Sequence, residues 1–145
     1  MTITKLTTEY AKDVFSVLSS SFTNPWSQDT IKSLLESNSA ECFGAFEEDK
    51  LVGYAALEWV LDEGSLTDIA VLPSERKKGI ANLLMQALIT EALERDLQFI
   101  TLEVREGNTP AINLYKKFGF EPMGKRPKYY KDPVEDALLM TKNLK

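Results

Sequence analysis

Three groups of residues in this chain could do chemistry. The first lies in Ile69-Ala70-Val71-Leu72-Pro73-Ser74-Glu75-Arg76-Lys77-Lys78-Gly79-Ile80-Ala81, which reads as an apolar strand, a basic loop with one glycine, and the start of a helix. Such a junction offers unpaired backbone N–H groups and the positive end of a helix dipole, which together suit a phosphate. It lacks the Gly-Lys-Ser/Thr of a Walker loop and the Gly-x-Gly of a dinucleotide fingerprint, and a solvated turn with lysines is the competing reading. The second is Glu103, inside the strand Ile100-Thr101-Leu102-Glu103-Val104. Alternation sets Ile100, Leu102 and Val104 on one face and Glu103 on the other with Phe99 and Thr101. A central strand is covered on both faces, which gives a carboxylate there a task; on an open face it would be merely solvated. The third is Tyr115, on a helix that Pro110 opens, sharing a face with Ala111 and Phe118. A phenol of unperturbed pKa ~10 stays protonated at neutral pH and can donate. A plain core tyrosine has the same spacing.

The chain has no histidine. That excludes serine triads, Cys-His pairs and histidine-bearing zinc sites, and leaves a carboxylate, tyrosine, lysine or water relay as the general base. Cys42, the single cysteine, has no partner for a disulfide or a metal cluster and reads as a small core residue beside Phe43. One cysteine fits a reducing cytoplasm. No metal is expected. The net charge of −5 and the lack of a long basic stripe argue against direct nucleic-acid binding and are compatible with a cationic macromolecular partner. No apolar run reaches the ~18 residues of a membrane helix, and Met1–Lys5 lacks a signal-peptide core, so no membrane contact is expected.

At 145 residues the chain reads as one domain. A first strand is expected within Met1–Leu6. Ala11, Val14, Phe15 and Leu18 recur at helical spacing up to Ser20, and Ser27 caps a second helix with Ile31, Leu34 and Leu35 on one face. Cys42–Glu47 and Leu51–Trp59 form a hairpin around Glu48-Asp49-Lys50. The turn Asp62-Glu63-Gly64 leads to a strand over Ser65–Val71. A long helix from Gly79 to Arg95 takes its apolar face from Leu83, Leu84, Ala87, Leu88 and Leu93. Gln98–Val104 is a strand, Pro110–Phe118 a helix ended by Gly119, and Phe120–Lys142 two strands around Lys131-Asp132-Pro133. This order implies an α/β (α+β) fold with helices on both faces of a mixed sheet.

The order of elements and the Arg-x-x-Gly-x-Ala loop resemble the GNAT acetyltransferases over nearly the whole chain, and within them the RimI branch of ribosomal-protein-alanine N-acetyltransferases. The matching pieces are Pro25-Trp26-Ser27, Leu61-Asp62-Glu63, Ile69-Ala70-Val71, the basic loop, Leu102-Glu103-Val104-Arg105, Asn108, Ala111-Ile112, Leu114-Tyr115, Gly119-Phe120, Tyr129-Tyr130 and Glu135-Asp136-Ala137. The resemblance implies a central, mostly antiparallel sheet of about seven strands, and acetyl-coenzyme A as cosubstrate. Ile69, Ala70 and Val71 would meet its pantetheine arm, with the Val71 N–H toward the thioester oxygen. Arg76, Lys77, Lys78, Gly79, Ile80, Ala81 and Asn82 would hold its pyrophosphate, Ala81 standing where a glycine is common. Asn108 would also touch it, unless it is only a helix cap.

The same resemblance makes Glu103 the general base, directly or through water, and Tyr115 the general acid. Trp26, Tyr129 and Tyr130 fall where a substrate peptide would approach, and Asp62, Glu63, Glu135 and Asp136 could attract a basic one. The implied acceptor is the N-terminal alanine of a ribosomal small-subunit protein, and the implied state a monomer or weak dimer. A small-amine acetyltransferase and a silent acyl-coenzyme A binding module are the alternatives. The presence of both Glu103 and Tyr115 speaks against the silent module.

Overall fold

A computed structural model describes residues 1–145. Strand β1 (Thr2–Lys5) leads through a 3-10 turn at Thr8–Tyr10 into α1 (Ala11–Ser19) and α2 (Gln28–Glu36). A meander of β2 (Ala40–Glu47), β3 (Lys50–Val60) and β4 (Glu63–Val71) follows. After a 3-10 turn at Pro73–Glu75 come α3 (Ile80–Glu94), β5 (Phe99–Arg105), α4 (Thr109–Lys117), β6 (Glu121–Tyr130) and β7 (Glu135–Asn143). Boundary residues act as their types dictate. Ser27 accepts from the Thr30 N–H at 3.1 Å to start α2, Asn108 accepts from the Ala111 N–H at 3.3 Å to start α4, and Gly119 follows α4 at φ +91°. The expected turn at Asp62-Glu63-Gly64 sits earlier. Leu61 takes φ +55°, and Glu63 and Gly64 already pair with Val60 and Trp59.

The seven strands form one sheet in the order β1-β2-β3-β4-β5-β7-β6. Every neighbouring pair is antiparallel except β4 and β5. That parallel pair is short: Glu63, Gly64 and Ser65 face Phe99, Ile100 and Thr101, and then the strands part. Beyond Ser65, β4 pairs only with β3, while β5 stays on β7 as far as Arg105 opposite Ala137. A wedge therefore opens between the C-terminal halves of the two parallel strands.

Helices cover both faces. Under α3 and α4 lies the larger core, which includes Val52, Leu57, Leu84, Leu88, Ile100, Leu102 and Met140. Under α1 and α2 lies the smaller, with Val14, Leu18, Ile31, Cys42, Tyr54 and Ala70. Cys42 is 2% exposed, accepts from the Tyr54 hydroxyl at 3.6 Å, and has its thiol pushed up to about 11 by burial. It is a core residue. The apolar face of α3 differs from the expected one, because Leu83 and Leu93 are exposed while Ile80, Leu84, Met85, Leu88 and Ala92 are buried. Gly53 on β3 sets that face, since a Cβ there would stand 3.1 Å from both Ile80 and Leu84. The helix rests where the sheet has no side chain.

Candidate active site

The basic loop and the start of α3 form a cradle of backbone donors. From Lys77 to Asn82 no backbone N–H donates to an acceptor in the chain, and the first helical bond is from Leu83 to the Gly79 carbonyl at 3.2 Å. Gly79 makes this possible with φ +82°, and the space where a Cβ would stand is open. Successive N–H groups at a helix N-terminus fit a pyrophosphate, and Lys77, itself at φ +66°, adds charge. The Ile80 side chain is buried beneath and anchors the turn, Ala81 is half-buried, and Asn82 Oδ1 accepts from the Lys117 ammonium at 2.9 Å. Two basic residues of the loop are engaged otherwise than expected. Arg76 donates from Nε to the Val71 carbonyl at 3.1 Å and from Nη2 to Ser21 at 3.0 Å, so it braces the loop rather than entering the cradle. Lys78 pairs with Glu75 at 3.0 Å.

The end of β4 runs from this cradle into the wedge. Leu72 donates to the Val52 carbonyl at 2.9 Å, which fixes the phase of the ladder with β3. Residues alternate in an antiparallel ladder, so Ala70 turns its backbone to β3 while Ile69 and Val71 turn theirs away, into the wedge. The Val71 carbonyl is taken by Arg76. Its N–H is left facing the gap.

On the α1–α2 face the wedge widens into a cleft of about 740 Å³. Asp68 of β4, Thr101, Glu103 and Arg105 of β5, and Asn108 line it, together with Trp26, Arg126, Tyr129 and Tyr130. This answers the question left open for Glu103: its face of β5 is not packed over but lines the cleft. Its Oε2 meets Arg126 Nε at 3.1 Å, and Tyr129 stands beside it. Burial, and then the charge of Glu103, raise Tyr129 above the usual phenol range and Tyr130 to about 12. Arg105 holds this corner. It donates to the carbonyls of Lys131 and Pro133 at 2.9 Å and to Glu135 at 3.2 Å, and lies 4.6 Å over the Tyr130 ring. Above the cleft, Asn24 donates to Asp132 at 3.3 Å and joins the α1–α2 and β6–β7 loops.

Tyr115 lies in the larger core on the opposite face of the sheet. Its side chain is 5% exposed, 5.9 Å from the Phe120 ring, and burial, then the charge of Asp68, raise its hydroxyl well above the ordinary range. No side-chain oxygen in the chain is both sealed and unpartnered, so the hydroxyl, which makes no side-chain hydrogen bond, opens to solvent. The cleft thus gathers Glu103, Trp26, Tyr129 and Tyr130, while Ile69 and Val71 lie along the unpaired edge of β4 that leads to Lys77–Asn82, and Tyr115 lies in the larger core. Ala70 faces the smaller core instead.

Asp62 and Glu63 lie outside the cleft. They stand at the far end of β4, where Asp62 accepts from Gln98. Glu135 and Asp136 are internal acceptors, for Arg105 and Gly107 and for the Lys128 N–H respectively. Asn108 is both the cap of α4 and a cleft residue. Sequence reasoning missed Asp68. Leu57 pairs with Leu66 and Ala56 with Asp68, so Thr67 is an extra residue that switches the alternation of β4 and turns Asp68 onto the same face as Glu103.

Residues 11–120 match the Acetyltransferase (GNAT) family. A Bacillus subtilis (strain 168) protein, provisionally named a [ribosomal protein bS18]-alanine N-acetyltransferase, is 38% identical over 128 residues, 88% of this chain and 85% of that one. The [ribosomal protein bS18]-alanine N-acetyltransferase of Escherichia coli (strain K12) is 36% identical over 121 residues, 80% of this chain and 79% of its own. The crystal structure of the Escherichia coli ribosomal-protein-S18-alanine N-acetyltransferase superposes with a TM-score of 0.92 and 32% identity, covering 99% of this chain and 93% of that chain.

Proposed function

The chain belongs to the GNAT acetyltransferase family, and from that premise we propose that it acetylates the α-amine of an N-terminal alanine on a ribosomal small-subunit protein. The observation that carries the reading is the wedge. The unpaired edge of β4 carries a free strand N–H and leads to a run of free backbone N–H groups, and beside it opens a cleft lined by a carboxylate and aromatics. Acetyl-coenzyme A supplies the activated acetyl group as a thioester. Its pyrophosphate suits the N–H groups of Lys77 to Asn82, and its arm suits the unpaired edge at Ile69 and Val71.

In this reading the Val71 N–H stabilises the oxygen on which charge develops, an effect worth ~10²–10³ in rate for one well-aimed donor. Glu103 meets the substrate ammonium and draws off its proton, directly or through water. Tyr115, kept protonated by burial, gives a proton to the departing thiolate. Trp26, Tyr129 and Tyr130 flank the acceptor's first residues. The 145 residues act as one catalytic domain in the cytoplasm, as a monomer or weak dimer.

The test is acetyl transfer to a peptide copying the first residues of ribosomal protein bS18, with tandem mass spectrometry to place the acetyl group. Modification of the α-amine is expected. Preference for a polyamine or amino-sugar over the peptide would replace this reading with the small-amine one.

A further inference from the structure

Asp68 is the least expected group in the cleft. It is carried there by the extra residue Thr67, which turns it away from the α3 core and onto the face shared with Glu103. Its neighbours on β3 and β4, Ala56 and Ala70, belong to the apolar core under α1 and α2, yet Asp68 forms no ion pair and no side-chain hydrogen bond. Its side chain is half-buried, and since no side-chain oxygen in the chain is both sealed and unpartnered, its carboxylate reaches water in the cleft. The groups that face it come from every surrounding element. Tyr54 of β3, Tyr115 of α4 and Tyr130 of β6 all feel its charge, and Glu103, Arg105, Arg126 and Lys131 line the same cleft. Two of the three cations there are committed elsewhere, Arg126 to Glu103 and Arg105 to Glu135 and the loop carbonyls, and the third, Lys131, forms no ion pair with Asp68. A carboxylate left free at the junction of the acceptor cleft and the thioester wedge is placed to work on a proton.

We propose that Asp68 is a second catalytic carboxylate of this site, the group on which the proton of the acceptor ammonium comes to rest. The proposal rests on the acetyltransferase reading and divides the labour of the two acids. Glu103, with its charge met by Arg126, meets the ammonium and draws off its proton, and Asp68 receives that proton through water. The nitrogen then forms a bond to the acetyl carbon as the carbon–sulfur bond breaks. The thiolate receives the Tyr115 proton, the second nitrogen proton restores Tyr115, and Asp68 releases the first to solvent. The net products are the amide, the free thiol and one proton.

Burial favours this division, because it pushes the Asp68 carboxyl up to about 7. An α-ammonium of pKa ~8 passes its proton to a carboxyl of pKa ~4 against a roughly 10⁴-fold unfavourable equilibrium, whereas to Asp68 the disadvantage is only about tenfold.

The experiment is a pH–rate profile of wild type, Asp68→Asn, Asp68→Glu and Glu103→Gln, with cofactor affinity measured by calorimetry to show that each variant is folded. The wild type is expected to have an acidic limb near pH 7. Asp68→Asn should lose that limb and ~10²–10³ in turnover with cofactor affinity unchanged, and Asp68→Glu should recover part of both. Glu103→Gln should be slow but keep the limb. A ¹³C-carboxyl titration of the free enzyme gives a second readout, with one aspartate titrating near 7 in wild type and missing in Asp68→Asn. Survival of limb and turnover in Asp68→Asn, or a wild-type Asp68 that titrates with ordinary carboxylates, overturns the proposal. A wild type that uses only small amines overturns the acceptor and not Asp68, since the limb is read on whichever amine turns over.

Discussion

Glu103 and Tyr115 are single residues whose types suit opposite halves of one proton transfer, and conservative changes separate them from structural roles. Glu103→Gln is expected to lower turnover by ~10²–10⁴ with little change in cofactor affinity, checked by steady-state kinetics and calorimetry. Tyr115→Phe keeps the ring packed on Phe120 and removes only the hydroxyl, so binding should persist while thiolate departure slows. An unchanged turnover number would return Tyr115 to the core. Asp68 carries a stability consequence as well. Its folded pKa of about 7 lies above the ordinary aspartate value of 3.8, so between those values the folded chain binds more protons than the unfolded one and loses stability as pH rises. Asp68→Asn cannot ionise, and it should therefore be more stable than wild type by about 1–4 kcal/mol at pH 8 and equal to it near pH 4, read from urea unfolding. A residue that weakens the fold at working pH is one kept for function. Glu103 could be read from strand alternation because β5 is regular. Asp68 could not, because one inserted residue at Thr67 reverses the alternation, and no residue type announces a bulge.

Among the elements, the turn into α3 is the most exacting. Gly79 sits at φ +82°, where any L side chain is strained, and its missing Cβ leaves the cradle open. Gly79→Val should cost about 1–2 kcal/mol of stability and at least tenfold in cofactor affinity. Equal affinity with an intact fold would move the pyrophosphate elsewhere. The glycine and the basic residues around it were legible, since a strand-loop-helix junction follows from spacing alone. What spacing could not give was the face that α3 buries. Its apolar residues run nearly all round, and the choice was made by Gly53 on a strand distant in sequence. Nor could it give Glu91, 6% exposed on that helix, with Lys5 of β1 at 3.1 Å and Arg95 at 2.6 Å. Burial alone would raise this carboxyl, but the hydrogen bonds from Lys5 and Arg95 prevail and hold it below the usual range. Its contribution is thus present at neutral pH and lost as pH falls through that lowered value. Glu91→Ala should cost about 1–3 kcal/mol at pH 7, less than a sealed pair would, because Lys5 and Arg95 keep contact with water. The difference from wild type should shrink in acid.

For the molecule as a whole, function comes from a topological fact: one parallel pair within an otherwise antiparallel sheet, and a pair that separates after Ser65. The order of elements made the mixed sheet readable, but the separation depends on β7 and β3 each holding their strand more firmly than the two hold each other. The acceptor side is equally a joint product, since Trp26, Tyr130 and Asp68 meet from distant parts of the chain. Charge works at this scale too. Asp62, Glu63, Glu135 and Asp136 do not form an acidic cleft, so attraction of a basic peptide must come from the net −5 of the chain. Raising salt from 50 to 500 mM should therefore lower kcat/KM by no more than about tenfold and leave kcat unaltered. The chemistry of the amine decides the rest. An α-amine has pKa ~7.7–8.0 and a lysine amine ~10.4, so at neutral pH the α-amine reaches its attacking form with roughly 3.5 kcal/mol less work. A site with carboxylates and no histidine suits the easier task. The peptide copying the start of ribosomal protein bS18 should be acetylated at its α-amine, and the same peptide blocked there but retaining its lysines should react at least ~10²-fold more slowly. Equal rates on the two peptides would show that the mouth formed by Trp26, Tyr129 and Tyr130 admits a side-chain amine, and the N-terminal assignment would fall.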